Sequence, residues 1–420
     1  MLNNKKVLLV LGGFAQVCDI VEDAVRSGIY VIVTDYLEDS PAKRLADESH
    51  MLSITDVDGI VELCRTRNVD GVMNYCIDPG QKPYQQICER LELPCYGTQE
   101  QFQVMTNKDL FKKACSQNGV DTIPEYSTDS TLECVGNITF PIVIKPADSR
   151  ASKGSTICVD PTEIPQAIAK AFSNSERKRI LIEKFISGQE VVIKYFVADG
   201  VISLTSMADL YTCYTADGKR AYIGAQVFPS KYYQLYRDTA DSNVRRMIRQ
   251  LGIQNGPMSF DGFVDGDKFR FFDPSFRLGG AQDWRIVAAI TGVNISRLLT
   301  TFALTGSMGD SRIVRNIDGA FAHKSAAMLY FLVREGKIKK IHGLSEALSL
   351  GSVVGHHLSH VEGDVVRQFG TSDHVVMRIL LVCDDNVQLR NNLKAIQNVI
   401  AIVDDTGDNM LLPNFDADLI

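Results

Sequence analysis

Asp273, Ser275 and Arg277 recur at every second position in the stretch FRFFDPSFRLGG, residues 269–280. In an extended strand, such alternation places the polar side chains on one face and the aromatic ones on the other. A further carboxylate, Asp261, lies twelve residues before Asp273, beyond the turn-like VDGDK. Paired carboxylates can hold Mg²⁺ ions that also bind nucleotide phosphates, and a guanidinium can reach a transferring phosphoryl group. A solvated hairpin has the same pattern, so both interpretations stay open.

The length of the hairpin loop decides whether the two aspartates meet. A loop of two or four residues sets Asp261 opposite Phe272. A loop of three or five residues sets Asp261 opposite Asp273, with their Cβ atoms ~5 Å apart. Like charges in such a pair are destabilising unless a cation lies between them.

Two lysines and one loop are candidates for binding phosphate. Lys145 closes the apolar strand PIVIK, and the following proline keeps it extended, so it can act as a point charge for phosphate. Lys108, near the start of a helical segment, is a second candidate. The loop DSRASKGST combines hydroxyls, a glycine and cations, and its candidate residues are Ser152, Lys153, Gly154 and Ser155. The alternatives are a solvated loop and exposed lysines.

The segment LIEKFISGQE, residues 181–190, follows with a different pattern. Its backbone amides, in an extended hinge, can bind the edge of an adenine. The carboxylate of Glu190, seven residues after Glu183, can hold ribose hydroxyls. Composition alone does not prove either role.

The composition is that of a globular protein, with 45% hydrophobic and 23% charged residues in 420, a length that predicts two or three domains. The net charge of −7 argues against a broad nucleic-acid or anionic-membrane surface. No run reaches the ~18 apolar residues of a membrane span, and VLLVL is shorter than a secretory signal needs. The ten cysteines include no CxxC pair. We therefore expect a cytoplasmic protein with reduced thiols and no nucleic-acid or membrane partner.

The first hundred residues alternate between strand-like and helical segments, which favours a parallel sheet with helices on its faces. The pair Gly12-Gly13 and the later Asp35 loosely match a dinucleotide-binding fingerprint, but GGFAQV is not GxGxxG. A tight strand-to-helix turn explains these glycines without a ligand. From about residue 101 the strands are joined by short turns as well as helices, which predicts an α+β region.

The order and spacing of these motifs resemble the ATP-grasp superfamily over nearly the whole chain. The ordered set is Lys108, Lys145, the Ser/Gly loop, EKFI, Glu190, Asp261 and DPSFR with Gly279-Gly280. The resemblance implies a fold of α/β and α+β class in three domains. Residues 1–100 would form a Rossmann-like pre-ATP-grasp domain, 101–310 the ATP-grasp domain and 311–420 a small C-terminal α+β domain. This last part, with GKIKKIHGLSEALSLGSVVGHH, resembles the C-terminal domain of L-amino-acid ligases and related carboxylate–amine ligases.

The resemblance also implies roles for matching positions, with ATP and Mg²⁺ (or Mn²⁺) as cofactors. Contacts to the ATP phosphates are implied for Lys108, Lys145 and the candidate loop residues. Contacts to adenine and ribose are implied for Glu183, Lys184, Phe185, Ile186 and Glu190. Metal binding is implied for Asp261 and Asp273, with Ser275 in the place of the usual third ligand. Catalytic roles in stabilising the transferring phosphoryl group are implied for Arg277 and Lys145.

The implied reaction is an ATP-dependent ligation of a small-molecule carboxylate and an amine through an acyl phosphate, releasing ADP and phosphate, in a homodimer. The chain departs from the family pattern Glu-x-Asn-Pro-Arg, because Asp273 is one methylene shorter than Glu and Ser275 is a weaker oxygen donor than Asn. Alternatives are therefore a bicarbonate-activating carboxylase of the biotin carboxylase or purine-pathway type, and a non-catalytic ATP-binding protein. A nicotinamide dehydrogenase ranks last, because it leaves every motif after residue 100 unexplained. Candidate substrate contacts are Arg285, Gln226 and the loop YTCYTADGKRAY.

Overall fold

The computed structural model describes residues 5–126, 138–147, 154–175, 178–215, 221–367 and 374–420. The N-terminal part is a parallel sheet in the order β3-β2-β1-β4, as the alternating pattern predicts. Its strands are β1 (Val7–Leu11), β2 (Tyr30–Asp35), β3 (Glu48–Met51) and β4 (Gly71–Met73). The intervening and following helices are α1 (Cys18–Arg26), α2 (Val57–Arg67), α3 (Gln81–Leu91), α4 (Gln99–Val104) and α5 (Lys108–Gln117). The strand VLLVL is buried throughout, as a central parallel strand covered on both faces should be.

A small antiparallel sheet follows, in the order β6-β5-β7. Its strands are β5 (Ile142–Pro146), β6 (Thr156–Cys158) and β7 (Ile180–Lys184), and helix α6 (Ile164–Ser173) joins the last two. The apolar side chains of α6 and of the sheet form a separate core. This small lobe carries Lys145 and Glu183 on adjacent strands.

The largest element is an eight-stranded antiparallel sheet in the order β12-β11-β8-β9-β10-β13-β18-β16. Its strands are β8 (Glu190–Ala198), β9 (Val201–Tyr214), β10 (Ala221–Phe228), β11 (Gly256–Asp265), β12 (Lys268–Ser275), β13 (Ser325–Leu332), β16 (Val353–Leu358) and β18 (Val375–Cys383). Three of its strands, β13, β16 and β18, come from the tail that the sequence assigns to a third domain. The predicted boundaries remain predictions, but the tail strands share one sheet with the ATP-grasp-like strands.

The remaining elements cover or flank this sheet. The helices are α7 (Tyr233–Thr239), α8 (Asp241–Gln250), α9 (Trp284–Thr291), α10 (Ile295–Thr305), α11 (Ser311–Asn316), α12 (Leu344–Leu348) and α13 (Asn386–Val399). Two pairs of short strands complete the set: β14 (Gly336–Lys337) with β17 (Val365–Val366), and β15 (Lys340–His342) with β19 (Ala401–Val403). Helix α10 packs on the N-terminal sheet, where the hydroxyls of Thr300 and Tyr75 are 2.6 Å apart. The mixed α/β and α+β class is thus confirmed.

In the part of the chain that the structure describes, no single helix is long and apolar enough to cross a membrane. Helices α9 and α10 meet the length and composition only as a pair bent by 102°.

Candidate functional site

The β11–β12 hairpin brings the two aspartates together by a route that loop length did not predict. Its loop has two residues, Gly266 and Asp267, a length that by itself sets Asp261 opposite Phe272. A β-bulge next to Asp261 leaves Phe272 without a cross-strand partner, and Asp261 pairs with Asp273 instead. The prediction that this pairing needs a loop of three or five residues was wrong. The bulge restores the pairing of Asp261 with Asp273, which a loop with an even number of residues would otherwise prevent.

The charges of this pair fit a bound divalent cation. Burial raises the pKa of Asp261 to about 7, and the carboxylates of Asp273 and Glu190 act in the same direction. Burial also raises the pKa of Asp273. Two facing carboxylates that repel each other are stabilised by a cation between them. This arrangement is compatible with the predicted role of Asp261 and Asp273 as metal ligands, which stays a prediction.

Ser275 differs from this pair in its surroundings. It lies opposite Ser259 in the register, and its Oγ atom is buried with no hydrogen-bond partner among the described residues. Within the same residues, no group of three or more His, Cys, Asp and Glu side chains is arranged to hold a metal ion. A role for Ser275 as a third metal ligand stays a prediction.

Two lysines hold one buried carboxylate at the edge of the small lobe, and a third lysine lies near Asp273. Glu183 is 2% exposed and accepts from Lys145 Nζ at 2.5 Å and from Lys112 Nζ at 2.8 Å. Burial alone would raise the pKa of Glu183, but the two lysines outweigh it and the pKa lies below its ordinary value. Lys108 Nζ lies 3.9 Å from Asp273 Oδ1, and burial lowers the pKa of Lys108. The structure thus links the predicted phosphate lysines to the predicted metal ligands.

Sequence reasoning missed Lys112, although a signal was present. It lies four residues after Lys108 on α5, so both side chains project from one helix face. The geometry also adds a part for Glu183 beyond the predicted adenine contact, because its carboxylate holds Lys145 and Lys112 in place.

The hinge after β7 leaves one amide available. The Lys184 amide donates to the Pro124 carbonyl at 3.0 Å, and the Phe185 amide donates to the Pro141 carbonyl at 3.1 Å. The Ile186 amide donates to no group in the described parts of the chain. The Lys184 side chain lies 3.3 Å from Asp265 Oδ2. Of the three hinge amides, that of Ile186 is the one left for the edge of a base.

Glu190 begins β8 beside this hinge. Burial raises the pKa of its carboxyl group, and its carboxylate makes no ion pair with any side chain the structure describes. The turn before it requires glycine, because a Cβ at Gly188 would lie 1.6 Å from the Val264 carbonyl oxygen. Glu190 is thus positioned as an available carboxylate between the hinge and Asp261.

Arg277 is held by a residue of the N-terminal part. Its Nε donates to Asp78 Oδ1 at 2.5 Å and its Nη2 to Asp78 Oδ2 at 2.6 Å, while Nη1 donates to the Leu278 carbonyl at 2.7 Å. This bidentate pair orients the guanidinium and still leaves an N–H on each Nη atom for a ligand. Asp78 had no sequence signal, because it lies 199 residues away.

The structure describes only part of the predicted phosphate loop. Ser152 and Lys153 lie outside the described residues, whereas Gly154 and Ser155 lie within them. Gly154 has a φ of +80°, and the Ser155 carbonyl accepts from Lys170 Nζ at 2.9 Å. The roles of these four residues stay predictions.

Of the predicted substrate contacts, Arg285 has partners within the fold. It donates to the His356 carbonyl at 3.1 Å and lies 3.9 Å from Asp19 Oδ2, so it ties α1 to β16. Gln226 is buried in the large sheet and donates to Tyr330 Oη at 2.9 Å. In the loop YTCYTADGKRAY, residues 216–220 lie outside the described residues.

A further buried ion pair was not predicted. Lys194 on β8 donates to Asp283, which precedes α9, and Ser206 donates to the same carboxylate at 3.4 Å. Lys194 points from the same sheet face as Asp261, because β8 pairs with β11 in that register. The Lys194–Asp283 ion pair therefore lies near Asp261, and the charge of Lys194 acts to lower the pKa of that carboxyl group.

Comparison with known proteins gives one matching family and several distant relatives. Residues 107–295 match the family described as carbamoyl-phosphate synthase L chain, ATP binding domain. The chain is 20% identical over 379 residues to the carbamoyl phosphate synthase large chain of Pyrococcus furiosus, covering 85% of this chain and 35% of that one. It is 24% identical over 185 residues to the formate-dependent phosphoribosylglycinamide formyltransferase of Methanocaldococcus jannaschii, covering 43% and 47%. The matches therefore span about a third to a half of these relatives.

Solved structures share the fold over almost the whole chain. Phosphoribosylglycinamide synthetase from Anaerococcus prevotii and L-amino acid ligase from Bacillus licheniformis both have a TM-score of 0.76, at 18% and 20% identity, covering 96% of this chain and 100% of theirs. The biotin carboxylase domain dimer of 2-oxoglutarate carboxylase from Hydrogenobacter thermophilus, solved with MgADP and bicarbonate, also has a TM-score of 0.76, at 14% identity, covering 96% and 91%.

Proposed function

We propose that this chain, which belongs to the ATP-grasp superfamily, is an ATP-dependent carboxylate–amine ligase that forms an amide or peptide bond through an acyl phosphate. One observation carries the proposal: the paired carboxylates of Asp261 and Asp273 lie near Lys108 of α5 and Lys145 of the small lobe, with Lys108 Nζ 3.9 Å from Asp273 Oδ1. Carboxylates that hold a cation, opposite lysines that attract phosphate, suit phosphoryl transfer from a nucleotide.

In the first step, a carboxylate oxygen of the substrate attacks the γ-phosphorus of ATP, and ADP leaves. Asp261 and Asp273 would hold Mg²⁺, which when bound would supply positive charge to the phosphate oxygens. Lys145, held by Glu183, attracts the phosphate oxygens. Arg277, oriented by Asp78, stabilises the charge that spreads over the phosphoryl oxygens in the transition state.

In the second step, the amine attacks the carbonyl carbon of the acyl phosphate, the C–O bond to phosphate breaks and the amine loses a proton. No side-chain nucleophile takes part, so the protein acts by positioning and by charge stabilisation. We further propose that Mn²⁺ can replace Mg²⁺, that the chain works in the cytoplasm and that it forms a homodimer. The biotin carboxylase domain with this fold was solved as a dimer, which supports the last point.

The test is phosphate release from MgATP with pools of amino acids and small carboxylates. We expect release that depends on particular pools, falls at least about a hundredfold in Asp273→Asn, and persists in Asp267→Asn. The control fits because Asp267 lies in the exposed loop of the same hairpin. Release that needs bicarbonate in place of a carboxylate pool would replace the ligase by a bicarbonate-activating carboxylase. ATP binding with no substrate-dependent release in any pool would contradict turnover.

A further inference from the structure

Arg378, on β18, is a buried cation without a carboxylate partner among the residues that the structure describes. It is 9% exposed, and the one hydrogen bond of its side chain within them runs from Nη1 to the Gly280 carbonyl at 3.2 Å. Its Nε atom is buried and has no partner there. Burying a guanidinium without a counter-charge is costly, so such a group in a site is usually completed by a ligand.

The side chains around Arg378 are also incompletely satisfied. Its guanidinium carbon lies 5.4 Å from the centre of the Tyr330 ring, and Tyr330 Oη accepts a hydrogen bond from Gln226 Nε2. The Oε1 atom of Gln226 and the Nε2 atom of His357 are buried without partners in the described part of the chain. We call these four residues, Arg378, Tyr330, Gln226 and His357, the Arg378 cluster. Three buried polar atoms that lack partners in one cluster indicate a place for a polar ligand.

Within the described ranges, no nearby side chain supplies the missing negative charge. Asp283, which acts on the pKa of Tyr330, is already paired with Lys194. His357 is held neutral, because burial, followed by Arg378, lowers its pKa to about 4. None of the side chains that the structure describes therefore compensates the positive charge of Arg378, while neutral hydrogen-bonding atoms lie beside it.

The cluster shares a sheet face with the proposed reaction centre. The cluster lies on one face of the large sheet. Gln226 pairs with Met328, two residues before Tyr330, and Arg378 pairs with both Tyr330 and His357. Through β9 and β8 this face continues to Asp261.

A short loop connects the two places. Arg378 binds the carbonyl of Gly280, which lies three residues after Arg277. Three residues of chain span at most ~10 Å, so the backbone at Arg277 lies within about that distance of the backbone at Gly280.

We propose that the Arg378 cluster binds the amine substrate through an anionic group, a carboxylate or a phosphate, that the reaction does not consume. The guanidinium fork of Arg378 takes the anion. Gln226 Oε1 and the neutral imidazole of His357 bind the remaining polar atoms of the amine substrate. An α-amino acid has this combination of an anion beside an amine. This assignment rests on the ligase proposed above, since it deepens the substrate class of the same site.

The test uses the full chain with a non-hydrolysable MgATP analogue and three sets of probes. These are the twenty amino acids, their α-carboxamides, and O-phosphoethanolamine. Binding is followed by the fluorescence of Trp284, the single tryptophan, which lies four residues after Gly280. The variants are Arg378→Gln and Arg378→Lys, with Arg249→Gln on the exposed side of α8 as the control.

We expect at least one anionic amine to bind, with its dissociation constant raised about a hundredfold in Arg378→Gln, raised less in Arg378→Lys, and unchanged in Arg249→Gln. The matching carboxamide should bind about as weakly to the wild type as the acid binds to Arg378→Gln. The melting temperature of Arg378→Gln should stay the same or rise, because an unpaired buried charge is removed. Preference for an amino acid or for O-phosphoethanolamine identifies the anion as carboxylate or phosphate.

Equal binding of acid and carboxamide, binding unchanged in Arg378→Gln, or no binding of any probe would overturn the assignment. The two proposals fail separately. Substrate-dependent phosphate release that is unchanged in Arg378→Gln keeps the ligase and removes the anion site. Anion binding that Arg378→Gln abolishes, without phosphate release in the wild type, keeps the anion site and removes the ligase.

Discussion

Arg277 and Asp78 form a bidentate ion pair, with distances of 2.5 Å and 2.6 Å, between the end of the ATP-grasp-like hairpin and the turn after β4. The pair makes the N-terminal sheet part of the candidate active site. It also restricts the orientation of the guanidinium before any substrate binds, which is a form of preorganisation.

Replacing Asp78 by Asn should therefore impair turnover more than ATP binding. We expect kcat for phosphate release to fall by about ten- to a hundredfold, with the dissociation constant for MgATP changed less than about twofold. The matched control is Asp58→Asn, which removes an exposed partner of Arg90 in the same N-terminal part. A parallel loss of ATP affinity would contradict a positioning role for Asp78.

Glu183 should be important for stability because it is buried between two lysines. Glu183→Gln leaves Lys145 and Lys112 facing each other without their shared counter-charge. We expect a loss of ~3–5 kcal/mol, measured as a lower urea midpoint. Glu125→Gln is the control, because Glu125 binds the same Lys112 from a side chain that is 37% exposed, and it should cost less than ~1 kcal/mol. Equal losses in the two variants would show that burial of Glu183 does not matter.

The turn between the hinge and β8 should not tolerate a side chain. In Gly188→Ala the added Cβ would meet the Val264 carbonyl oxygen at 1.6 Å, and the hydrogen bond from the Val264 amide to the Gln189 carbonyl prevents the strands from separating freely. We expect a loss of ~1–3 kcal/mol, together with weaker ATP binding, because Glu190 moves with the turn. The control is Gly351→Ala, where no described atom lies within 4 Å of the added Cβ. Wild-type stability and ATP affinity in Gly188→Ala would contradict this close approach.

The stability of the protein should fall in mild acid partly because of His357. Burial and Arg378 lower the pKa of His357 from 6.5 to about 4, so between these values the unfolded chain binds a proton that the folded chain does not. His357 therefore contributes no acid sensitivity above pH 6.5, and stability is lost progressively as the pH falls from 6.5 to about 4. The loss should reach roughly 3 kcal/mol.

The melting temperature of His357→Gln, measured over the same pH range, tests whether His357 causes this loss of stability in acid. Its decline should be shallower than that of the wild type, whereas His342→Gln, at an exposed position, should follow the wild type. Identical pH profiles for His357→Gln and the wild type would show that His357 is protonated equally in both states.

Local patterns predicted much of the fold, because they depend on short-range chemistry. The alternation of strand-like and helical segments in the first hundred residues and the polar–aromatic alternation of β12 could both be read from local patterns. The order of the motifs resembles the ATP-grasp superfamily, and that resemblance implied the roles predicted for Asp261 and Asp273. By contrast, loop length alone gave the wrong account of how this pair forms, since a bulge is a property of the paired strands and leaves little trace in sequence.

What the sequence determined by itself was thus the kind of chemistry and the side chains that could perform it. Only the tertiary structure decided which of those side chains have an ion-pair or hydrogen-bond partner elsewhere in the fold. Asp78 meets Arg277 across 199 residues, and Arg378 reaches the Gly280 carbonyl across 98. Arg285 and Arg378 are indistinguishable as arginines in the sequence, yet the first has a carboxylate within 3.9 Å and the second has none among the described residues. The physical reason is that the desolvation and pairing of a charge depend on neighbours brought together by folding, which no local pattern encodes.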